Sequence, residues 1–378
     1  MQFIDLKTQY SLIKEDILKS IETVLDHGQY IMGPEVVTLE SNLAKYVGTK
    51  YCVTCSSGTD ALLMSLMALG VGPGDAIFTT PFTFVATAEV INLVGATPIF
   101  VDIDSQTYNI DSTKLEIEVK RINEEGRLTP KAIIPVDLFG LPADYHSIQT
   151  IANKFNLFLI EDAAQGFGGS INGEKACSFG DIAATSFFPA KPLGGYGDGG
   201  AIFTDDESLL VRLQSIRVHG KGENKYDNIR IGLNGRLDTI QAAILLHKLI
   251  LFPNELERRE SISVQYSEKL GKSFSTPFIP SGYSSAWAQY SILADSDAHR
   301  TKYQQKLSDK GIPSAIYYPI PLHLQTAYNY LNYKRGDFPI SEQISNRIFS
   351  LPMHPYLTDI EIDEITSILN NMKDSLNG

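Results

Sequence analysis

The feature that most constrains the fold is an alternation that runs from about residue 28 to residue 204. Short apolar runs of strand length are separated by stretches of helical periodicity: YCVTC then DALLMSLMAL, AIFTT then FVATAEVINLV, TPIFVDI, KAIIPVDLFG then YHSIQTIANKF, and LFLIED. A short segment that is apolar at successive positions reads as a strand buried on both faces. Such strands joined by helices predict an α/β protein, with helices covering a largely parallel sheet. The 378 residues also exceed the ~250–300 at which one core stops growing, so a second, smaller domain is expected.

The pattern changes after Arg236. An amphipathic stretch, DTIQAAILLHKLILF, leads into a more polar region. There SISVQYSEKL reads as a helix, AWAQYSILAD as a strand and EIDEITSILNNMKDSL as a C-terminal helix. That mixture predicts a small α+β domain over 251–378 beside a large domain over 1–250. An N-terminal helix is expected over 10–27, where Leu12, Ile13, Ile17, Ile21, Val24 and Leu25 recur at helical spacing and Gly28 ends it.

Charge and cysteine content exclude several functions. A formal net charge of −12 disfavours broad binding to nucleic acid, which needs many cationic contacts to phosphates. No apolar run approaches the ~20 residues of a membrane span, and MQFIDLKTQYSLIKED lacks the layout of a secretion signal. A cytoplasmic protein with no membrane partner is expected. Cys52 and Cys55 form a C-x-x-C spacing inside a strand-like run, where residues three apart face opposite ways, and Cys177 has no paired neighbour. Buried thiols, not a metal or redox site, are the expectation.

Three segments carry chemistry. In SSGTDALLMSL a strand passes directly into a helix at Ser57, Gly58 and Thr59. Free backbone amides there suit a phosphate, although the segment taken alone favours a plain N-cap by Ser57 or Thr59. In LFLIEDAAQGFGG, Glu161 and Asp162 stand at the carboxyl end of a strand, where ligands of open α/β sheets bind, although a surface or metal-binding acid pair explains them equally well. In TSFFPAKPLGGYGDGGAIF, Lys191 is hemmed in by aromatics, prolines and glycines, surroundings that strip water from an ammonium and favour the nucleophilic amine. Gly195, Gly197 and Gly200 have dinucleotide-motif spacing, but they precede a strand instead of opening a helix, which rejects that reading. They are expected to form a tight loop that lets backbone approach a ligand.

Together these segments resemble the DegT/StrS family of pyridoxal-phosphate-dependent sugar aminotransferases. The family's G-T-D-A-L stands at Gly58 to Leu62, its E-D-A-A-Q at Glu161 to Gln165, its S-F-x-x-x-K at Ser186 to Lys191, and its G-[DE]-G-G-A at Gly197 to Ala201. The resemblance implies the three-layer fold of type I pyridoxal enzymes. It also implies that Lys191 forms a Schiff base with the cofactor, Asp162 pairs with its ring nitrogen and Gln165 meets its ring hydroxyl. Gly58, Thr59 and Ser186 would take the phosphate and Phe84 would stack on the ring. Asn234 would reach the phosphate of a neighbouring subunit, making the enzyme a homodimer with active sites at the subunit interface.

The same resemblance points to substrate contacts at Arg236, Tyr317, Tyr318 and His323, where many relatives carry His-Tyr in place of Tyr317-Tyr318. Arg236 closes a basic run, Arg217 to Arg236, that includes Lys221, Lys225 and Arg230 and suits a nucleotide diphosphate or a sugar carboxylate. His354, in LPMHPYL, is read as structural. A subset of the family replaces the lysine with histidine and dehydrates its substrate; the presence of Lys191 implies transamination, with L-glutamate as donor, 2-oxoglutarate as its product and pyridoxamine phosphate as the intermediate cofactor form. HGQYIMGPEV and GRLDTIQAAIL are most similar to enzymes that aminate C3 of UDP-2-acetamido-2-deoxy-3-oxo-glucuronate; a keto-6-deoxy sugar on dTDP, UDP or GDP is the alternative. Some family members were first described as regulators, so a non-catalytic protein on the same fold is the reading of another class.

Overall fold

The computed structural model describes residues 1–224 and 226–377. Helices α1 (Leu6–His27) and α2 (Pro34–Val47) precede strand β1 (Tyr51–Cys55). Then follow α3 (Gly58–Ala68), β2 (Asp75–Thr79), α4 (Ala86–Leu93), β3 (Thr97–Phe100), α5 (Ser112–Glu125), β4 (Thr129–Ile133), α6 (Tyr145–Phe155) and β5 (Phe158–Asp162). A short ribbon, β6 (Ser170–Ile171) and β7 (Glu174–Lys175), leads to β8 (Ile182–Ser186), β9 (Gly200–Thr204), α7 (Glu207–Ile216) and α8 (Thr239–Leu270). The remainder is β10 (Tyr283–Ser284), β11 (Tyr290–Leu293), α9 (Asp297–Asp309), α10 (Pro339–Arg347), β12 (Ile348–Leu351) and α11 (Asp359–Asn377).

The main sheet has seven strands in the order β1-β9-β8-β5-β4-β2-β3. It is parallel except for β9, which runs antiparallel to both β1 and β8. Continuous apolar runs form these strands because both faces are covered. On one face Val53, Ile77, Ile160, Ile182 and Ile202 pack with α3 and α7, and on the other Cys52, Ala183, Ala201 and Phe203 pack with α2 and α8. Cys52 and Cys55 fall in these two different cores, and all three cysteines are free and buried, as their spacing predicted. The architecture is the expected three-layer α/β fold.

α1 begins at Leu6, four residues before the expected start, because Asp5 accepts the amides of Lys7 and Thr8 and so caps an earlier turn. Its end at Gly28 is as read, with φ 69°. Residue 250 lies inside α8, which continues unbroken through it and contains Pro253. The first half of α8 covers the sheet. Its second half, through Ile262, Tyr266 and Leu270, enters a separate core with Tyr290, Tyr303, Phe349, Leu351, Ile362 and Leu369, against which Met1 also packs. One helix therefore serves both cores, and the chain's first residue belongs with the second.

Candidate active site

The carboxyl ends of the parallel strands meet the amino end of the antiparallel β9, and this geometry collects the three motifs. Gly200 pairs with Cys55 on one side and with Ser186 on the other. A Cβ on Gly200 would stand 2.5 Å from the Ser57 carbonyl oxygen, and one on Gly58 would stand 2.6 Å from Ser186 Cβ. The glycines therefore let β8, β9 and the start of α3 close into a cradle with no side chain filling it. Ser57 is the N-cap of α3, its Oγ accepting from the Asp60 amide at 3.0 Å. The amides of Gly58 and Thr59 open the helix with no carbonyl a turn earlier to accept them, and they carry the positive end of its dipole. Cap and anion site are thus compatible readings of one sequence.

Asp162 ends β5 beside this cradle. Its Oδ2 accepts a hydrogen bond from Thr87 Oγ1 at 2.7 Å, and its Oδ1 one from the Ala164 amide at 3.2 Å. Burial raises the carboxyl above its ordinary range, while Thr87, Ala164 and the charge of Lys191 act the other way. Lys191 shows the mirror image: removal from water lowers its ammonium to about 8, against the pull of Asp162. A lysine poised so near neutrality keeps a usable fraction of free amine.

Gln165 is held at both ends. Its Oε1 accepts from the Phe139 amide at 2.7 Å and its Nε2 donates to the Tyr318 hydroxyl at 2.9 Å. Tyr318 in turn lies edge-on to Phe82 and tilted to Phe84, with ring centroids 6.1 and 6.5 Å away. Phe84 is 54% exposed, a large aromatic left uncovered beside the cluster. Tyr317 packs on Tyr318 and on Phe3, with ring centroids 5.8 and 6.3 Å away.

The structure therefore brings together Gly58, Thr59, Phe84, Asp162, Gln165, Ser186, Lys191 and Tyr318. It does not bring His323, which is 2% exposed, 3.0 Å from Glu342 and packed on Phe338. With no surface open to the cleft, His323 touches no ligand in this arrangement. Asn234 and Arg236 pair with each other, and among the described residues neither has a hydrogen bond or ion pair to the Asp162–Lys191 cluster. Arg217, from the same basic run, is buried against Glu40 at 2.5 Å and the Thr54 carbonyl at 3.0 Å, so it is unavailable to a phosphate. Lys225 lies outside the described residues. The glycine loop packs on its own chain: a Cβ at Gly194 would meet the Phe188 and Pro189 carbonyls at 2.6 Å, and Gly195 and Gly197 lie against Gln241.

Sequence reading missed Thr87. It sits in PFTFVATAEV one helical turn beyond Thr83, 3.0 Å away, and no local signal separates it from an ordinary helix hydroxyl.

A buried carboxylate, a desolvated lysine and a small-residue anion cradle are the three chemistries that pyridoxal phosphate requires, for its ring nitrogen, its aldehyde and its phosphate. The residues fit that group, and they define a lysine-dependent pyridoxal enzyme. Comparison with known proteins gives the family. Residues 11–370 match the model of the DegT/DnrJ/EryC1/StrS aminotransferase family, and the chain belongs to it. It is 47% identical, over 98% of its length and 100% of the relative's, to UDP-2-acetamido-2-deoxy-3-oxo-D-glucuronate aminotransferase of Pseudomonas aeruginosa. The crystal structure of a DegT DnrJ EryC1 StrS aminotransferase from Brucella abortus matches with TM-score 0.96 at 50% identity, covering 99% of each chain. NtdA from Bacillus subtilis, solved with bound cofactor PMP, matches with TM-score 0.87 at 31% identity, over 98% of this chain and 83% of that one. The protein is a pyridoxal-phosphate-dependent aminotransferase, and the non-catalytic reading falls. No helix among the described residues is long and apolar enough to cross a membrane.

Proposed function

We propose that this enzyme moves an amino group from L-glutamate to C3 of UDP-2-acetamido-2-deoxy-3-oxo-D-glucuronate, in the cytoplasm, to supply an amino sugar for bacterial surface polysaccharide. The observation that carries the reading is the Asp162–Lys191 pair in a full-length relative of the Pseudomonas enzyme. When bound, pyridoxal phosphate supplies an electron-withdrawing ring and carries the amino group between the two substrates. Asp162 would hold the proton at the ring nitrogen. Gln165, bonded to Tyr318, would meet the ring hydroxyl, and Phe84 would stack on the ring. Gly58, Thr59 and Ser186 take the phosphate through backbone and hydroxyl donors. The Lys191 amine would hold the cofactor and would move the proton at the substrate carbon as general base and acid.

The active unit is a homodimer. Asn234 is exposed and bonded to Arg236; it would reach the phosphate in the partner's cleft, with Arg236 beside it. There Arg236 meets the substrate's carboxylate, for which a guanidinium is the bidentate partner. Tyr317 lines the substrate side of Tyr318.

Two measurements test this reading. The visible absorbance of the purified protein should shift on adding L-glutamate and should not do so in Lys191→Ala; a colourless protein unchanged by added pyridoxal phosphate refutes the reading. The pyridoxamine form should then aminate the UDP-3-keto-glucuronate and not its C6-deoxy counterpart. Equal turnover of a dTDP-linked keto-6-deoxy sugar would overturn the substrate assignment.

A further inference from the structure

Behind the turn that bears Asp162 and Gln165 lie two carboxyl groups to which no role has yet been given. Asp137 and Glu161 are each 0% exposed, and their side chains are within hydrogen-bonding contact of one another. Glu161 accepts a backbone N–H on each oxygen, from Cys177 on Oε1 and from Phe179 on Oε2. Asp137 Oδ1 accepts from the Ala143 amide at 3.0 Å and from the Tyr145 hydroxyl at 2.8 Å. Its other oxygen, Oδ2, has no donor among the described residues. Gly166 crosses so closely that a Cβ there would stand 2.3 Å from that oxygen. Two ionised carboxylates touching in a dry interior repel strongly and leave Oδ2 unsatisfied, whereas one proton between them removes both penalties.

We propose that Asp137 and Glu161 share a proton, and that this acid pair is a positioning element for the Asp162–Gln165 turn. The Asp137 amide donates to the Asp162 carbonyl at 3.0 Å, and the Asp162 amide donates to the Pro135 carbonyl at 3.0 Å. Two residues on, the Phe139 amide holds Gln165. Glu161 immediately precedes Asp162 on β5. The pair thus joins β5 to the segment after β4 directly beneath two side chains of the cluster. The positioning role rests on the functions proposed for Asp162 and Gln165; the shared proton does not.

The other titratable groups facing the pair are Tyr145, Tyr283, Cys177 and Asp162. Burial raises Tyr145 and Cys177 well above their ordinary values, so both stay neutral, and Asp162 adds negative charge that strengthens the hold on the proton. Burial likewise pushes Asp137 up to about 7 and Glu161 upward. The sign follows. A carboxyl raised by folding binds protons that the unfolded chain has released, so its stabilisation is full at acid pH and is lost as pH climbs from the unfolded carboxylate range through the folded value.

Asp137→Asn keeps the shape: the amide oxygen retains Ala143 and Tyr145, and the amide nitrogen donates to Glu161 at every pH. Glu161→Gln does not, because its nitrogen must face a backbone N–H. In the apoprotein, denaturant titrations between about pH 5 and 7 should give a wild-type folding constant that falls more steeply than that of Asp137→Asn, by up to about tenfold per pH unit. Infrared difference spectra, wild type minus Asp137→Asn at neutral pH, should show the carbonyl band of a protonated carboxylic acid. Parallel pH slopes or a missing band overturn the shared proton. Glu161→Gln should weaken pyridoxal phosphate binding more than Asp137→Asn does; equal affinities overturn the positioning role. Folding and infrared readouts need neither cofactor nor substrate, so their failure is distinct from a failure of the proposed function.

Discussion

Replacing Thr87 with valine tests how the protein keeps Asp162 ionised. The two side chains have nearly the same shape, so the change removes a hydroxyl and little else. Thr87 is 1% exposed and Asp162 3%, and the bond between them is 2.7 Å. A buried hydrogen bond to a charged group contributes ~1.5–3 kcal/mol. At ~1.4 kcal/mol per tenfold, the ratio of ionised to protonated Asp162 falls by about 10- to 150-fold. The sign is set by which form the bond favours: Thr87 donates to the carboxylate, so its loss deepens the upward displacement that burial already imposes. The assay is the affinity of the apoprotein for pyridoxal phosphate across pH, followed by visible absorbance. Affinity should stay near wild type at alkaline pH, where Asp162 ionises regardless, and fall by that factor at acid pH, so that the acid limb moves to higher pH. Thr83 also loses its partner, which adds a stability cost of ~1 kcal/mol. A loss of affinity equal at every pH would reveal a packing defect instead, and an unchanged acid limb would refute the role given to Thr87.

Gly58→Ala places a methyl 2.6 Å from Ser186 Cβ; such overpacking costs ~1–3 kcal/mol, and pyridoxal phosphate affinity measured by titration should fall with it while the fold persists by circular dichroism. The Lys191 ammonium at about 8 predicts that imine formation by the apoprotein, trapped with borohydride, gains about tenfold per pH unit below that value and levels above it; a rise continuing toward an ordinary lysine value would contradict the desolvated site. His323→Ala should lower stability by ~2–5 kcal/mol in a thermal melt, as for other large buried side chains, and leave the KM for the sugar nucleotide unchanged. A raised KM with an unaltered melt would put His323 back among the substrate residues.

Legibility differed from residue to residue. Asp162 could be found because strand periodicity places it at a strand end, where the chemistry of an open sheet gathers, and Lys191 because aromatics, prolines and glycines surround a lone lysine in the loop between β8 and β9. The α8 helix shows the opposite. Polarity changes near residue 250, so a boundary there is a reasonable reading of composition, yet the backbone continues because Ile262, Tyr266 and Leu270 have a second core to join. Arg217 looks like one more cation of an exposed basic run. Only folding reveals Glu40, 177 residues earlier, as its partner.

What the sequence determined by itself is the alternation of elements, the opposite facing of Cys52 and Cys55, and the three short motifs, because each is encoded within a few residues by period, turn chemistry and side-chain type. What tertiary structure alone decided is which side chains meet: Thr87 with Asp162, Gln165 with Tyr318, Asp137 with Glu161, and His323 with Glu342 away from the cleft. Those pairings join segments distant along the chain. Burial then sets their protonation, since the cost of a charge depends on the water it has lost and on the partner that has replaced it.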